Sequence, residues 1–339
     1  MNQENITKGI LSGIIDRYIS EVAEDPNRSI RKLLDMGERT SDGPTQKICY
    51  QMMQKMAEDV SSPYYEMIHH VVTCVSPQTI RQFGINLGHN AWAYASGPLR
   101  KLSEDRGIAI PWAVLIDRTP GPDRIPFSAI DGLVDRGRRL EIYAWLLMSA
   151  DIPAEWDDYA GLFRAHPDSV FGLRVGPQDV SGKVLDEAAG IHNLMFFIDT
   201  DLPDWQSLAE ELSRRQCLYS AFRTLTSEDD AREVLSGNWF EELIPCHPLI
   251  AFSCTADSCP AETAEAVRSY MWDTRLEQLY PILPSDLISD FLIISRLISH
   301  RETLYRVNAD GSVSEGEGLS FRPGRLRCEE LFTPSDSQQ

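Results

Sequence analysis

Phe83-Gly84-Ile85-Asn86-Leu87-Gly88-His89-Asn90-Ala91-Trp92-Ala93-Tyr94-Ala95-Ser96-Gly97 is the stretch on which the fold turns. Phe83 to Leu87 reads as a short strand. Gly88 breaks it, a polar and aromatic loop follows, and helix signals resume at Pro98-Leu99-Arg100. This strand-then-loop grammar belongs to α/β proteins, in which ligands sit beyond the carboxyl ends of strands. Upstream the chain reads as purely helical. Downstream, strand and helix alternate nearly to the end.

The upstream part, residues 1–81, reads as a helical leader. Ile6, Ile10, Leu11, Ile14, Ile15, Tyr18, Ile19 and Val22 recur at three- and four-residue steps and make one helix face apolar. Pro26-Asn27 stops that helix, and Ser29 caps a short one carrying Ile30, Leu33 and Leu34. A further helix is expected beyond Pro44, with Ile48, Met52, Met53 and Met56 inward, and a last one from Tyr64 through Val72. The methionines read as core filler. A leader without strands needs cover, so it should pack against the rest of the chain or form a dimer surface.

From residue 82 onward strands are expected near 83–87, 110–116, 139–147, 169–175, 193–199, 217–223 and 248–253. Their starts lie roughly 24 to 31 residues apart, the length of one βα unit. Runs such as Trp112-Ala113-Val114-Leu115-Ile116 and Leu194-Met195-Phe196-Phe197-Ile198 are apolar throughout, as when both faces of a parallel sheet are covered. Two long helices, about 260–280 and 285–299, follow, then Leu304 to Val313 reads as a hairpin around the Asp310-Gly311 turn. The expected fold is therefore α/β: a (βα)-repeat, partial or full TIM-like barrel over residues 82–300. An N-terminal helical segment (1–81) packs on it, and a C-terminal β-hairpin and extension (301–332) and a disordered tail (333–339) follow it. A doubly wound open sheet is the runner-up.

The 339 residues carry 51 acidic and 32 basic side chains, a net charge of −19. Phosphate binding needs a basic footprint, so nucleic acid is excluded as a partner, and an anionic membrane surface equally so. No apolar run approaches the roughly 18 residues of a membrane span. The polar Met1-Asn2-Gln3-Glu4-Asn5 start lacks a basic targeting region. Seven scattered cysteines read as reduced thiols, and the expected location is cytoplasmic.

The layout resembles the radical S-adenosylmethionine (SAM) proteins. In that family a partial barrel opens with a strand ending in a Cys-x3-Cys-x2-Cys loop that holds a [4Fe–4S] cluster. Asn often follows the first Cys. Matching that Asn to Asn90 puts His89, Ala93 and Ser96 at the three cluster positions, none of them cysteine. The family's Gly-Gly-Glu segment is replaced by Asp117-Arg118-Thr119. Tyr305 to Val313 resembles the family's C-terminal hairpin, and Asp199 and Asp201 resemble a family strand ending in Asp. The resemblance implies a degenerate member without the [4Fe–4S] cluster, because one imidazole cannot replace three thiolates. It leaves room for SAM, a nucleotide or a peptide to stack on Trp92 and Tyr94.

Strand-end polar residues form the expected ligand site: His89, Asn90, Trp92, Tyr94, Asp117, Asp199 and Arg223. They should converge at the carboxyl end of the strands, although helix capping alone accounts for Asp117 and Asp199. Cys246, His247, Cys254 and Cys259 are the only dense thiol group and the candidate ligands for zinc or a displaced cluster, but their spacings are unlike those of a zinc finger, so the main expectation is no metal. His69-His70 reads as a surface or packing pair, since adjacent helical residues point about 100° apart. Two main functions stay open. One is a cluster-less binding or partner protein toward a small molecule, a peptide or another enzyme. The other is a metal-dependent barrel hydrolase or lyase using His89, Asp117 and Asp199. A third reading is an assembly subunit that forms homo-oligomers through the leader.

Overall fold

The computed structural model describes residues 3–40, 47, 51, 53–107, 109–119, 121, 123–148, 152–180 and 182–333. Ten strands form one sheet: β1 (Ala113–Ile116), β2 (Ala144–Leu147), β3 (Val170–Val175), β4 (Leu194–Asp199), β5 (Tyr219–Leu225), β6 (Ile250–Thr255), β7 (Leu283–Asp286), β8 (Tyr305–Val307), β9 (Ser312–Glu317) and β10 (Ser320–Arg327). Their order is β10-β9-β8-β1-β2-β3-β4-β5-β6-β7. β1 through β7 are parallel and lie in chain order, with no switch point of the doubly wound kind. β8 adds parallel to the free side of β1, and β9 and β10 follow antiparallel.

The sheet curls into a half-barrel. β7 and β10 are its two edges and do not pair, so the ring is not closed. Each edge contains a proline, Pro284 in β7 and Pro323 in β10. Proline lacks the N–H that an interior strand would need.

Side chains alternate across the strands. The convex face carries Trp145, Phe171 and Phe196, all fully buried against the helical layer. Phe171 meets Phe163 of helix Ile152–Ala165 at 4.8 Å. Gly137 of helix Phe127–Arg138 makes room for Trp145, since a Cβ there would lie 2.3 Å from the indole. At the hairpin, Gly311 takes a φ of +81° and closes the turn with an N–H bond of 2.8 Å to the Asn308 carbonyl.

The opening stretch corrects the sequence reading. Phe83 lies in the last turn of helix Pro77–Gly84, Ile85–Tyr94 is a π-helix, and Ser96–Arg106 continues as α-helix. No strand stands at 83–87. The buried residues Phe83, Asn86, Asn90, Ala91 and Ala95 fall at helical steps. Asn86 donates to the Pro167 and Ser169 carbonyls at 2.8 and 2.9 Å. Asn90 donates to the Asp168 carbonyl at 2.8 Å. These bonds pin the segment to the turn just before β3. A Cβ on Gly88 would touch nothing, so this glycine breaks no element.

Helices Gln3–Glu24, Pro26–Thr40 and Tyr64–Cys74 make up the leader. Val22, Ile30, Leu34, Ala57 and Tyr65 form a small core of their own. Asp16 pairs with Arg81 at 3.0 Å within the leader. The Tyr64 hydroxyl donates to the Arg275 carbonyl at 3.1 Å and the Ser76 N–H to the Gln216 carbonyl at 2.9 Å, and these contacts join the leader to the half-barrel. The helix expected beyond Pro44 and the 333–339 tail fall largely outside the described residues. Among the described residues no helix is long and apolar enough to cross a membrane.

Candidate functional site

Alternation and register place Arg174 (β3), Asp199 (β4), Phe222 and Thr224 (β5), Cys254 (β6) and Arg306 (β8) on the concave face, toward the carboxyl ends of their strands. Arg174 donates to Asp199 Oδ2 from Nη2 at 2.6 Å and Nε at 3.2 Å. Its guanidinium lies 4.7 Å over the Phe222 ring. Phe222 and Phe252 flank Phe197, at 6.4 and 5.0 Å. These three rings make an apolar floor under the charges.

Arg306 closes the other side. Its Nε donates to Asn308 at 3.0 Å and its Nη2 to Asp257 at 3.3 Å, and it lies 4.4 Å over Phe321 of β10. Asp257 follows β6, which the sheet order separates from β8 by five strands. The Arg306–Asp257 pair therefore spans the open side of the half-barrel and turns its carboxyl end into a mouth. Cys254 sits within it. Burial pushes this thiol up to about 12; Asp286 and Asp257 add to the rise, while Arg174 and Arg306 oppose it. All four charges thus act on one thiol, and the protonated form prevails at neutral pH.

The expected site residues divide between the two ends. Asp199 belongs to the mouth. Asp117 follows β1 and accepts from the Thr119 N–H and hydroxyl at 2.8 and 2.6 Å, a turn of its own making. Arg223 is near the carboxyl end of β5 but on the convex face, paired with Asp201 at 2.8 Å and 5.4 Å over the Trp239 ring. Burial raises the Asp201 carboxyl above its ordinary value, against the opposing pull of the Thr224 N–H and Arg223.

His89, Asn90, Trp92 and Tyr94 lie at the opposite, amino end. Tyr94 meets Tyr143, the residue before β2, at 6.4 Å, and Trp92 meets Trp112, the residue before β1, at 6.2 Å. His89 stays beside Tyr94 at 6.3 Å. The expected convergence of these four with Asp117 and Asp199 does not occur, because the segment carrying them is helix laid across the strand starts. The triad of His89, Asp117 and Asp199 does not assemble.

The cysteine group divides in the same way. Cys246 and His247 precede β6, whereas Cys254 and Cys259 end it and follow it. His247 stacks instead on His70 of the leader at 4.3 Å. Among the described residues no three His, Cys, Asp or Glu side chains stand together to hold a metal.

Sequence reading missed Arg174, Arg306 and Asp257. Arg174 had a signal: it is a charge inside the otherwise apolar run Val170-Phe171-Gly172-Leu173-Arg174-Val175, and a charge is placed there only with a partner. Arg118 was also passed over. It is fully buried and bonded to Glu155 and the Ile125 carbonyl, and it holds the loop after β1.

No known family model and no curated protein matches this chain.

Proposed function

We propose that this chain is a cluster-less relative of the radical SAM proteins that acts as a binding or partner protein toward a peptide or another enzyme, received at the concave mouth. Two architectural features support the relationship: parallel strands laid down in chain order on a curled sheet, and the Asp-Gly hairpin after the last helix. The free state of the six described cysteines fits a cytoplasmic setting.

One observation carries the non-catalytic part of the reading. The charges of the mouth are committed to one another, Arg174 to Asp199 and Arg306 to Asp257, and the thiol among them is held protonated. Nucleophilic catalysis needs a thiolate or hydroxyl beside a base. A cluster needs several thiolates together. The mouth favours recognition over either chemistry.

The test is anaerobic reconstitution with iron and sulfide, followed by iron quantification and an assay for 5′-deoxyadenosine with SAM and dithionite. The expected result is iron far below one cluster per chain and no 5′-deoxyadenosine. A stoichiometric cluster with SAM-dependent 5′-deoxyadenosine overturns the reading.

A further inference from the structure

Resting on the binding reading above, we propose that the mouth recognises a carboxylate, the free C-terminus of a peptide or a small carboxylic acid, through Arg174 and Arg306. Each guanidinium uses Nε and Nη2 for protein partners. Among the described residues, Nη1 of each bonds to nothing. The two side chains are 24% and 27% exposed, so these free edges reach the opening. Each plane is fixed by an aromatic ring, Phe222 under Arg174 and Phe321 under Arg306. A planar donor held in this way loses little freedom on meeting a planar acceptor, which is what a carboxylate is. On the same face, level with Cys254 at the carboxyl end of β5, the Thr224 hydroxyl is buried without a partner, and a buried polar atom left unpaired marks a place for a ligand or a water. The buried rings of Phe197, Phe222 and Phe252 back the Arg174 guanidinium with an apolar layer that keeps water from its inner side.

The same mouth disfavours phosphate. Asp199 and Asp257 stand in it on a chain of net charge −19, and they oppose a dianion about twice as strongly as a monoanion. The Gly176 N–H after β3, a natural phosphate donor, already serves Asp179 at 2.8 Å.

The experiment titrates the full-length protein by NMR and calorimetry with four probes: Ala-Ala-Phe with a free carboxylate, its C-terminal amide, succinate, and inorganic phosphate. The free-acid peptide should bind at least about tenfold more tightly than the amide, the usual worth of a charge-assisted pair. Arg306→Gln should weaken it by a similar factor, Arg306→Lys by less, and Arg232→Gln, 70% exposed and paired with Asp229 of its own helix, not at all. Arg306 is preferred over Arg174 for substitution because Asp257, unlike Asp199, is half exposed and tolerates losing its partner. Arg174→Lys keeps the charge and serves as the second variant, with melting temperature monitored for all. Succinate binding more tightly than the peptide, and lost in Arg306→Gln, assigns the carboxylate to a small acid. Equal binding of acid and amide, tightest binding of phosphate, or indifference to Arg306→Gln overturns the proposal. The titrations and the reconstitution are separate measurements, so either reading can fall without the other.

Discussion

His70 and His247 stack face to face where the leader meets the strand starts of the half-barrel, in a crevice lined by Cys74, Cys217, Tyr219, Ser213 and four aliphatic side chains. None of these lining groups is a carboxylate. Burial lowers the pKa of His70 from its ordinary 6.5, and His247 and His69 lower it further. A group that holds its proton less well in the folded than in the unfolded state stabilises the fold above the unfolded pKa and loses that contribution as pH falls through it. Melting temperature should therefore drop between pH 7 and pH 5, and His70→Gln should flatten the slope in differential scanning calorimetry. His192, also lowered by burial, keeps part of the slope in that variant. Identical slopes in the two proteins would show that the stack is not an acid-sensitive joint. At this scale the sequence was informative where a residue type had one use and silent where it had two. Asp199 at a strand end was legible as a site candidate. The amides of Asn86 and Asn90, which could equally serve a ligand or a backbone carbonyl, were not legible as fasteners.

The same ambiguity decided the element at residues 83–97. Phe83, Ile85 and Leu87 alternate as a strand does, yet Phe83, Asn86, Asn90 and Ala91 also repeat as a helix does. Tertiary bonds to the turn at 167–169 settled the choice. The misreading was offset by another. β7, Leu283-Pro284-Ser285-Asp286, falls partly between and partly inside the two helices expected at about 260–280 and 285–299; an edge strand accepts its proline. Seven parallel strands were expected; among the described residues eight run parallel, without the expected first member at 83–87 and with β7 and β8 added. The strands from β1 to β6 were legible because they recur at a regular interval and several, such as β1, β2 and β4, are largely continuous apolar runs. Gly88 gives the helical assignment a direct check. It sits in helical backbone with open space around it, so Gly88→Ala should stabilise the protein by about 0.5–1 kcal/mol in urea denaturation. A loss of stability of that size would point to a turn.

Across the whole molecule the leader and half-barrel should melt as one body. Tyr18 and Val22 are buried, and Val22 closes the small core with Ile30, Leu34 and Tyr65. Each such side chain contributes roughly 1.5–3 kcal/mol when fully covered. Deleting residues 1–24 removes Tyr18 and Val22 together with the Asp16–Arg81 pair, and should give insoluble protein or a clearly lower melting temperature. An unchanged melting temperature would make the leader a detachable accessory. The rhythm of strands and helices gave the order of the sheet but not its curvature, since closure depends on what fills the interior and which edges meet. β7 and β10 do not pair: helix Leu287–Ser299 packs on β6 and β7 and sets Leu292 beside Gly316 of β9, while Arg306 and Asp257 bridge the carboxyl end. A sheet that does not close on itself keeps two rims on which a further strand could zip. The proline in each rim withholds one rung of that zip, which guards the molecule against growing edge to edge with its own copies.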